Sequence, residues 1–96
     1  MSNLIVIAKI EAKKEKLNFV KEEVIKLIEP TRKEDGCLQY DLHQDNQDKA
    51  IFIFVETWVN QALWQKHMES SHLQSFIEKT DGYLVGLNVH QMTKTQ

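Results

Sequence analysis

One cysteine, Cys37, is all the chain contains, so no intrachain disulfide can form and no metal site built on several cysteines is available. Cys37 follows Gly36 at the start of a strand-like run, where a small buried hydrophobe is the expected role, and it receives no part in catalysis. Charge of one sign is missing as well. Twelve basic and fourteen acidic residues leave a net charge of -2, which supplies no footprint for a phosphate backbone and sets nucleic acid aside. No apolar run approaches the roughly 18 residues of a membrane span. The start, Met1-Ser2-Asn3-Leu4, lacks the basic run and cleavage site of a leader, so no membrane partner and a cytoplasmic location are expected. With one proline and three glycines the chain shows no linker, low-complexity tract or internal repeat, and residues 1–96 read as one domain with a single core.

What is present is a sequence of alternating periods. Residues 4 to 10, Leu-Ile-Val-Ile-Ala-Lys-Ile, are β-branched and nearly all apolar, as in a strand buried on both faces. From about Lys14 to Lys33, Leu17, Val20, Val24, Leu27 and Ile28 recur at helical spacing, with Glu22 and Lys26 placed to pair outside. Pro30 removes a backbone donor, so a kink is expected between Leu27 and Pro30, and Asp35-Gly36 ends the helix. Cys37 to Asp45 alternates Leu38, Tyr40 and Leu42 with Gln39, Asp41 and His43, a strand with one drier face. The polar cluster Asp45 to Lys49 suits a hairpin loop, and Ile51 to Trp58 forms the third strand, antiparallel to the second.

Asn60 is placed to cap a helix carrying Ala62, Leu63, Trp64, His67 and Met68, and Ser70 or Ser71 to cap another carrying Leu73, Phe76 and Ile77. Asp81-Gly82 then breaks the pattern before a last strand, Tyr83 to Met92. The order β-α-β-β-α-β predicts an α+β, ferredoxin-like sandwich: a four-stranded antiparallel sheet with helices on one face. Ile51, Ile53 and Val55 point opposite to Phe52 and Phe54, so the third strand is apolar on both sides while the helices cover only one. A second copy packed sheet to sheet, a homodimer, is the simplest cover.

The chain resembles the antibiotic biosynthesis monooxygenase domain family, whose members are ferredoxin-like subunits paired as dimeric α+β barrels. The resemblance covers nearly the whole chain and rests on three stretches. Glu34-Asp35-Gly36-Cys37-Leu38-Gln39-Tyr40 follows the first helix, and Leu42-His43-Gln44-Asp45 ends the second strand. The third is Glu56-Thr57-Trp58 with Ala62-Leu63, His67 and His72. Asp35 and Ser71 stand where many relatives have proline, and Ala12-Lys13-Lys14 replaces a Pro-Gly-type approach to the first helix. These departures concern turns and leave the fold expectation in place.

The resemblance implies oxygenation of a small electron-rich aromatic, a hydroquinone or polyphenol, by molecular oxygen without metal, flavin or other cofactor. Such chemistry needs a base to form the phenolate, a dry pocket, and a donor for the developing oxyanion. Glu56 to His72 holds a carboxylate, two tryptophans and two histidines in seventeen residues, the densest collection of useful side chains in the sequence. His72 falls in the first turn of its helix, where the dipole disfavours imidazolium; His67 shares a helical face with Leu63 or Trp64. Both are base candidates, and both equally suit bracing of the break between two helices. Glu56 is expected either buried among aromatics or paired with a histidine that it orients, with a structural salt bridge to Lys or His across the dimer as the favoured alternative to the orienting role. Tyr40, Phe54, Trp58 and Trp64 are candidates to stack on a planar substrate, with core packing as the alternative for each. His43 is a further lining candidate from the polar side of strand two.

His67 and His72 are five apart across a helix break, not four apart on one helix, so a metal centre is not expected. Where haem-degrading relatives carry an axial histidine this chain has Ile77, which speaks against haem. Two other readings share these residues: an isomerase or enolising enzyme on a small carbonyl compound, and a non-catalytic dimeric binding module.

Overall fold

The computed structural model describes residues 3–96; Met1 and Ser2 lie outside the described residues. Strand β1 (Leu4–Ala12) is followed by a 3-10 turn (Lys14–Lys16), helices α1 (Leu17–Lys26) and α2 (Ile28–Arg32), and strands β2 (Cys37–Gln44) and β3 (Ile51–Trp58). Helices α3 (Gln61–Met68) and α4 (Ser71–Lys79) and strand β4 (Leu84–Met92) complete the chain. The sheet order is β2-β3-β1-β4 with every neighbouring pair antiparallel, which is the expected ferredoxin-like arrangement. No helix among the described residues is long and apolar enough to cross a membrane.

The alternation read from the sequence decides which residues meet the helices. Val6, Ala8, Ile10 and Ala12 of β1 and Phe52, Phe54, Glu56 and Trp58 of β3 are buried on the inner face. They pack with Tyr40 of β2, Val20 and Val24 of α1, and Phe76 of α4. Full burial of each such large apolar side chain contributes roughly 1.5–3 kcal/mol. Ile5, Ile7, Ile51, Ile53 and Val55 lie on the outer face and are only half-buried, so β1 and β3 are apolar on both sides but dry on one. On β4, Leu87 and Val89 sit opposite Ile10 and Ala8, on the inner face, yet remain 50% and 39% exposed because no helix extends over this edge strand.

Pro30 acts where expected. The long amphipathic stretch divides at Leu27, whose N–H reaches Val24 O at 3.2 Å in a tightened turn, and α2 leaves as a separate short helix. Lys26 pairs with Glu23 at 2.9 Å, an i,i+3 contact, in place of the expected i,i+4 pair with Glu22. Leu38 also departs from its expected place on the drier face of β2. The register jumps from Cys37 opposite Trp58 to Gln39 opposite Thr57, leaving Leu38 as the extra residue of a bulge and 57% exposed.

The two remaining helices begin at the expected caps. Asn60 Oδ1 accepts the Leu63 N–H at 2.9 Å, and Ser70 Oγ accepts the Leu73 N–H at 3.3 Å. The short Glu69-Ser70 break turns α4 away from α3, and this places His67 at the end of one helix beside His72 at the start of the next.

Candidate active site

The site is organised by a turn. After α2 the chain reverses through Lys33 to Gly36, where Gly36 takes φ +84° and Cys37 N–H bonds to Glu34 O at 3.2 Å. A side chain at Gly36 would run into Leu63, with the Leu63 Cβ only 2.8 Å from the position a Cβ would occupy. The missing side chain therefore lets α3 settle on the turn. His67 follows Leu63 by one helical turn, and Glu34 precedes Gly36 by two residues, so closing Leu63 onto Gly36 also brings the imidazole to the carboxylate.

Glu34 Oε2 lies 2.7 Å from His67 Nδ1 and 2.7 Å from His72 Nε2. An ionised carboxylate only accepts hydrogen bonds, so Nδ1 of His67 and Nε2 of His72 each carry a proton and donate it to the same oxygen. In the neutral ring of His67 the lone pair is then on Nε2. The ring is held between Trp58, 5.0 Å away at 32°, and Tyr40, 5.6 Å away at 70°. Its side chain is 3% exposed, and burial lowers its pKa despite the opposing pull of Glu34, leaving an unprotonated base at neutral pH.

Beside this trio lies a small apolar cavity between sheet and helices, about 60 Å³ in volume and open to solvent on one side. Its walls include Tyr40, Phe54, Trp64, Leu73 and Phe76, and its rim includes the exposed Ile77, Leu87 and Val89. His67 and Glu56 bring ionisable groups to it, together with the Tyr40 phenol, whose pKa burial raises. Glu56 is 3% exposed, and its Oε1 accepts the Trp58 Nε1–H at 2.9 Å. Burial, with a smaller push from the Glu34 charge, raises the Glu56 pKa to about 7 against the opposing effect of the Trp58 hydrogen bond. The pocket thus pairs a base that stays neutral with a carboxyl that holds its proton far above the usual carboxylate range.

Five of the residues singled out in the sequence line this cavity: Tyr40, Phe54, Glu56, Trp64 and His67. Trp58 is fully buried behind them, supporting Glu56 and His67. His72 reaches the cluster from the other side, through Glu34, and borders a separate polar cleft. His43 is not brought to the cavity. It pairs with Ile53 on the outer sheet face, exposed, with Nδ1 3.4 Å from Ile53 O, because the period of two turns it away from Tyr40 and Leu42.

Glu56 is buried among the aromatics and bonds to Trp58, the first of its two expected settings, and the carboxylate–histidine pair is made by Glu34. In the sequence Glu34 stands out only as part of the family pattern around Gly36. Its contact with His67 spans 33 residues, a separation at which no periodicity gives a signal. The same contact joins His67 to His72 despite their awkward spacing. A divalent ion would find three convergent donors here, all within 4.8 Å of one another, and no other such group occurs among the described residues. Oε2, however, already sits where both ring nitrogens aim, and the trio satisfies itself as a hydrogen-bonded unit. Burial together with Glu56 and Glu34 raises the Cys37 thiol to about 11, which leaves no thiolate nucleophile.

Comparison with known proteins agrees with this architecture. The chain is 32% identical over 83 residues to the uncharacterized protein sll1783 of Synechocystis, a match covering 79% of this chain but 56% of the relative's length. The crystal structure of PA3566 from Pseudomonas aeruginosa superposes with a TM-score of 0.95 at 31% identity, covering 100% of this chain and 97% of that one. A crystal structure described as an antibiotic biosynthesis monooxygenase gives a TM-score of 0.91 at 30% identity, covering 97% and 99% of the two chains. Residues 3–79 match the sequence model of the antibiotic biosynthesis monooxygenase family, to which this chain therefore belongs.

Proposed function

We propose that the protein is a cofactor-independent monooxygenase that oxidises a small electron-rich aromatic, a hydroquinone or polyphenol, with molecular oxygen. The observation that carries this reading is the pairing of His67, held at Nδ1 by Glu34, with the buried carboxyl of Glu56, whose pKa is raised to about 7, on the walls of one aromatic-lined cavity. His67 Nε2 takes the proton of a substrate hydroxyl. The phenolate then passes an electron to oxygen, a step that a neutral phenol performs slowly. Glu56 in its acid form donates a hydrogen bond to the oxyanion or peroxide that develops, as a carboxyl kept neutral by an apolar setting is suited to do. Tyr40, Phe54 and Trp64 hold the ring, and the apolar walls limit escape of reactive species to water.

Membership of the family and the half-buried apolar outer face of β1 and β3 support a homodimer packed sheet to sheet. Light scattering of a well-folded monomer at micromolar concentration would remove that part of the proposal. The activity is tested by oxygen uptake with reduced benzoquinones and naphthoquinones after chelator treatment. Uptake above autoxidation, an oxygenated product, and loss of both in a folded His67→Gln protein are expected. No uptake across the panel would overturn the oxygenase reading and turn attention to proton transfer on a carbonyl compound.

A further inference from the structure

Glu34 offers one oxygen to two imidazoles that face different surroundings. His67 lines the apolar cavity with its side chain 3% exposed, whereas His72 is 23% exposed. The cleft beside His72 is formed by Glu23 and Lys26 of α1 and by Ser75 and Lys79 of α4. The two rings are 6.0 Å apart. With both charged, the trio would hold net positive charge in a largely dry place; with both neutral, the carboxylate would stand uncompensated. One imidazolium balances the charge. Burial opposes placing it on His67, and solvent contact permits it on His72. The N-terminal dipole of α4 weakly opposes a charge on His72. The charge-assisted hydrogen bond to Glu34, made at 2.7 Å, outweighs it.

We propose that His72 and Glu34 form a charge-compensating proton outlet for His67, so that a proton taken from substrate inside the cavity is matched by one released to water from His72. The proposal rests on the reading of His67 as the base. The substrate O–H bond breaks and its proton bonds to His67 Nε2, while the Nδ1–H of that ring stays donated to Oε2. The Nδ1–H bond of His72 breaks, its proton passes to water, and its Nε2–H stays on Oε2. Positive charge moves from one ring to the other, the carboxylate keeps its charge, and no electrons change hands.

The groups facing His72 are compatible with this exchange. Glu23 and Lys26 pair at 2.9 Å and offset each other, leaving Lys79 as the nearby charge that favours departure of a proton. On the inner side the facing groups are Glu34, His67 and, beyond them, Glu56. His72 touches no reacting atom and is a positioning residue. The arrangement lets His67 accept a proton without adding charge to the buried cluster.

The test uses ring ¹⁵N spectra of the labelled full chain, free and with para-nitrophenol, a phenol that reports its own ionisation by colour and needs no oxygen. Near pH 7 the free protein is expected to show His67 neutral with its proton on Nδ1 and His72 protonated at both nitrogens. In weakly buffered solution at about pH 6, nitrophenol bound as its phenolate should release one proton per molecule bound. His72→Gln should bind without that release, and Glu34→Gln should bind without forming phenolate. A neutral His72 in the free protein, or phenolate formation without proton release, overturns the proposal. If nitrophenol does not bind, or a variant fails to fold, the spectrum of the free wild-type protein alone decides. A protein that behaves as expected but takes up no oxygen with any quinol keeps the outlet and loses the oxygenase reading. Oxygen uptake with a neutral His72 does the reverse.

Discussion

Replacing Glu56 by Gln should change the way stability depends on pH, and the size of that change follows from its surroundings. Glu56 is 3% exposed, bonded only to Trp58 Nε1 at 2.9 Å, and its pKa is raised from 4.5 to about 7. Below about pH 4 the carboxyl is protonated in both folded and unfolded chains and its stabilising effect is complete. Between 4.5 and about 7 unfolding releases a proton, so stability falls as pH rises; above about 7 the loss is complete and amounts to about 3 kcal/mol. Glutamine has nearly the same volume and keeps a carbonyl for the Trp58 N–H, but does not titrate. Urea unfolding of both proteins at one fixed concentration, from about pH 4 to about pH 8, should show the wild type losing about 3 kcal/mol relative to Glu56→Gln toward the alkaline end. Two curves that stay parallel within about 0.5 kcal/mol would refute both the raised pKa and the role of Glu56 as a proton-holding donor.

Trp58→Phe removes the one hydrogen bond that favours the Glu56 carboxylate, so the midpoint of the same difference curve should move about one pH unit further alkaline. His67→Gln should lower kcat for a quinol substrate about 10²- to 10⁴-fold in steady-state oxygen uptake, while circular dichroism confirms the fold. Gly36→Ala adds a side chain against Leu63 at φ +84° and should cost about 2 kcal/mol or more in urea unfolding; a neutral result would remove the turn from the account of how His67 meets Glu34. Asn60→Ala deletes the acceptor for the Leu63 N–H and should cost about 1 kcal/mol in the same assay.

The period of two in Ile51 to Trp58, the helical spacing from Leu17 to Ile28, the break at Pro30 and the caps at Asn60 and Ser70 are local properties of the chain. Each depends on neighbours within a few residues, and together with the order of elements they fix the α+β class and the sheet topology. The same local patterns bring Tyr40, Phe54 and Glu56 to the inner face of the sheet, because alternation alone assigns a face. Alternation also fails locally at Leu38, where one extra residue shifts the register, and it turns His43 outward.

The partner of each histidine was beyond any such rule. Glu34 lies 33 residues from His67 and 38 from His72, and its meeting with both depends on Pro30 redirecting the chain into α2, on Gly36 leaving room for Leu63, and on the Glu69-Ser70 break setting α4 against α3. No local spacing encodes three such events acting together. Sequence by itself determined which faces are dry and in what order the elements follow. Only the closing of α3 and α4 over the turn after α2 decided that one carboxylate oxygen serves two imidazoles, since contacts between distant segments are set by packing and not by period.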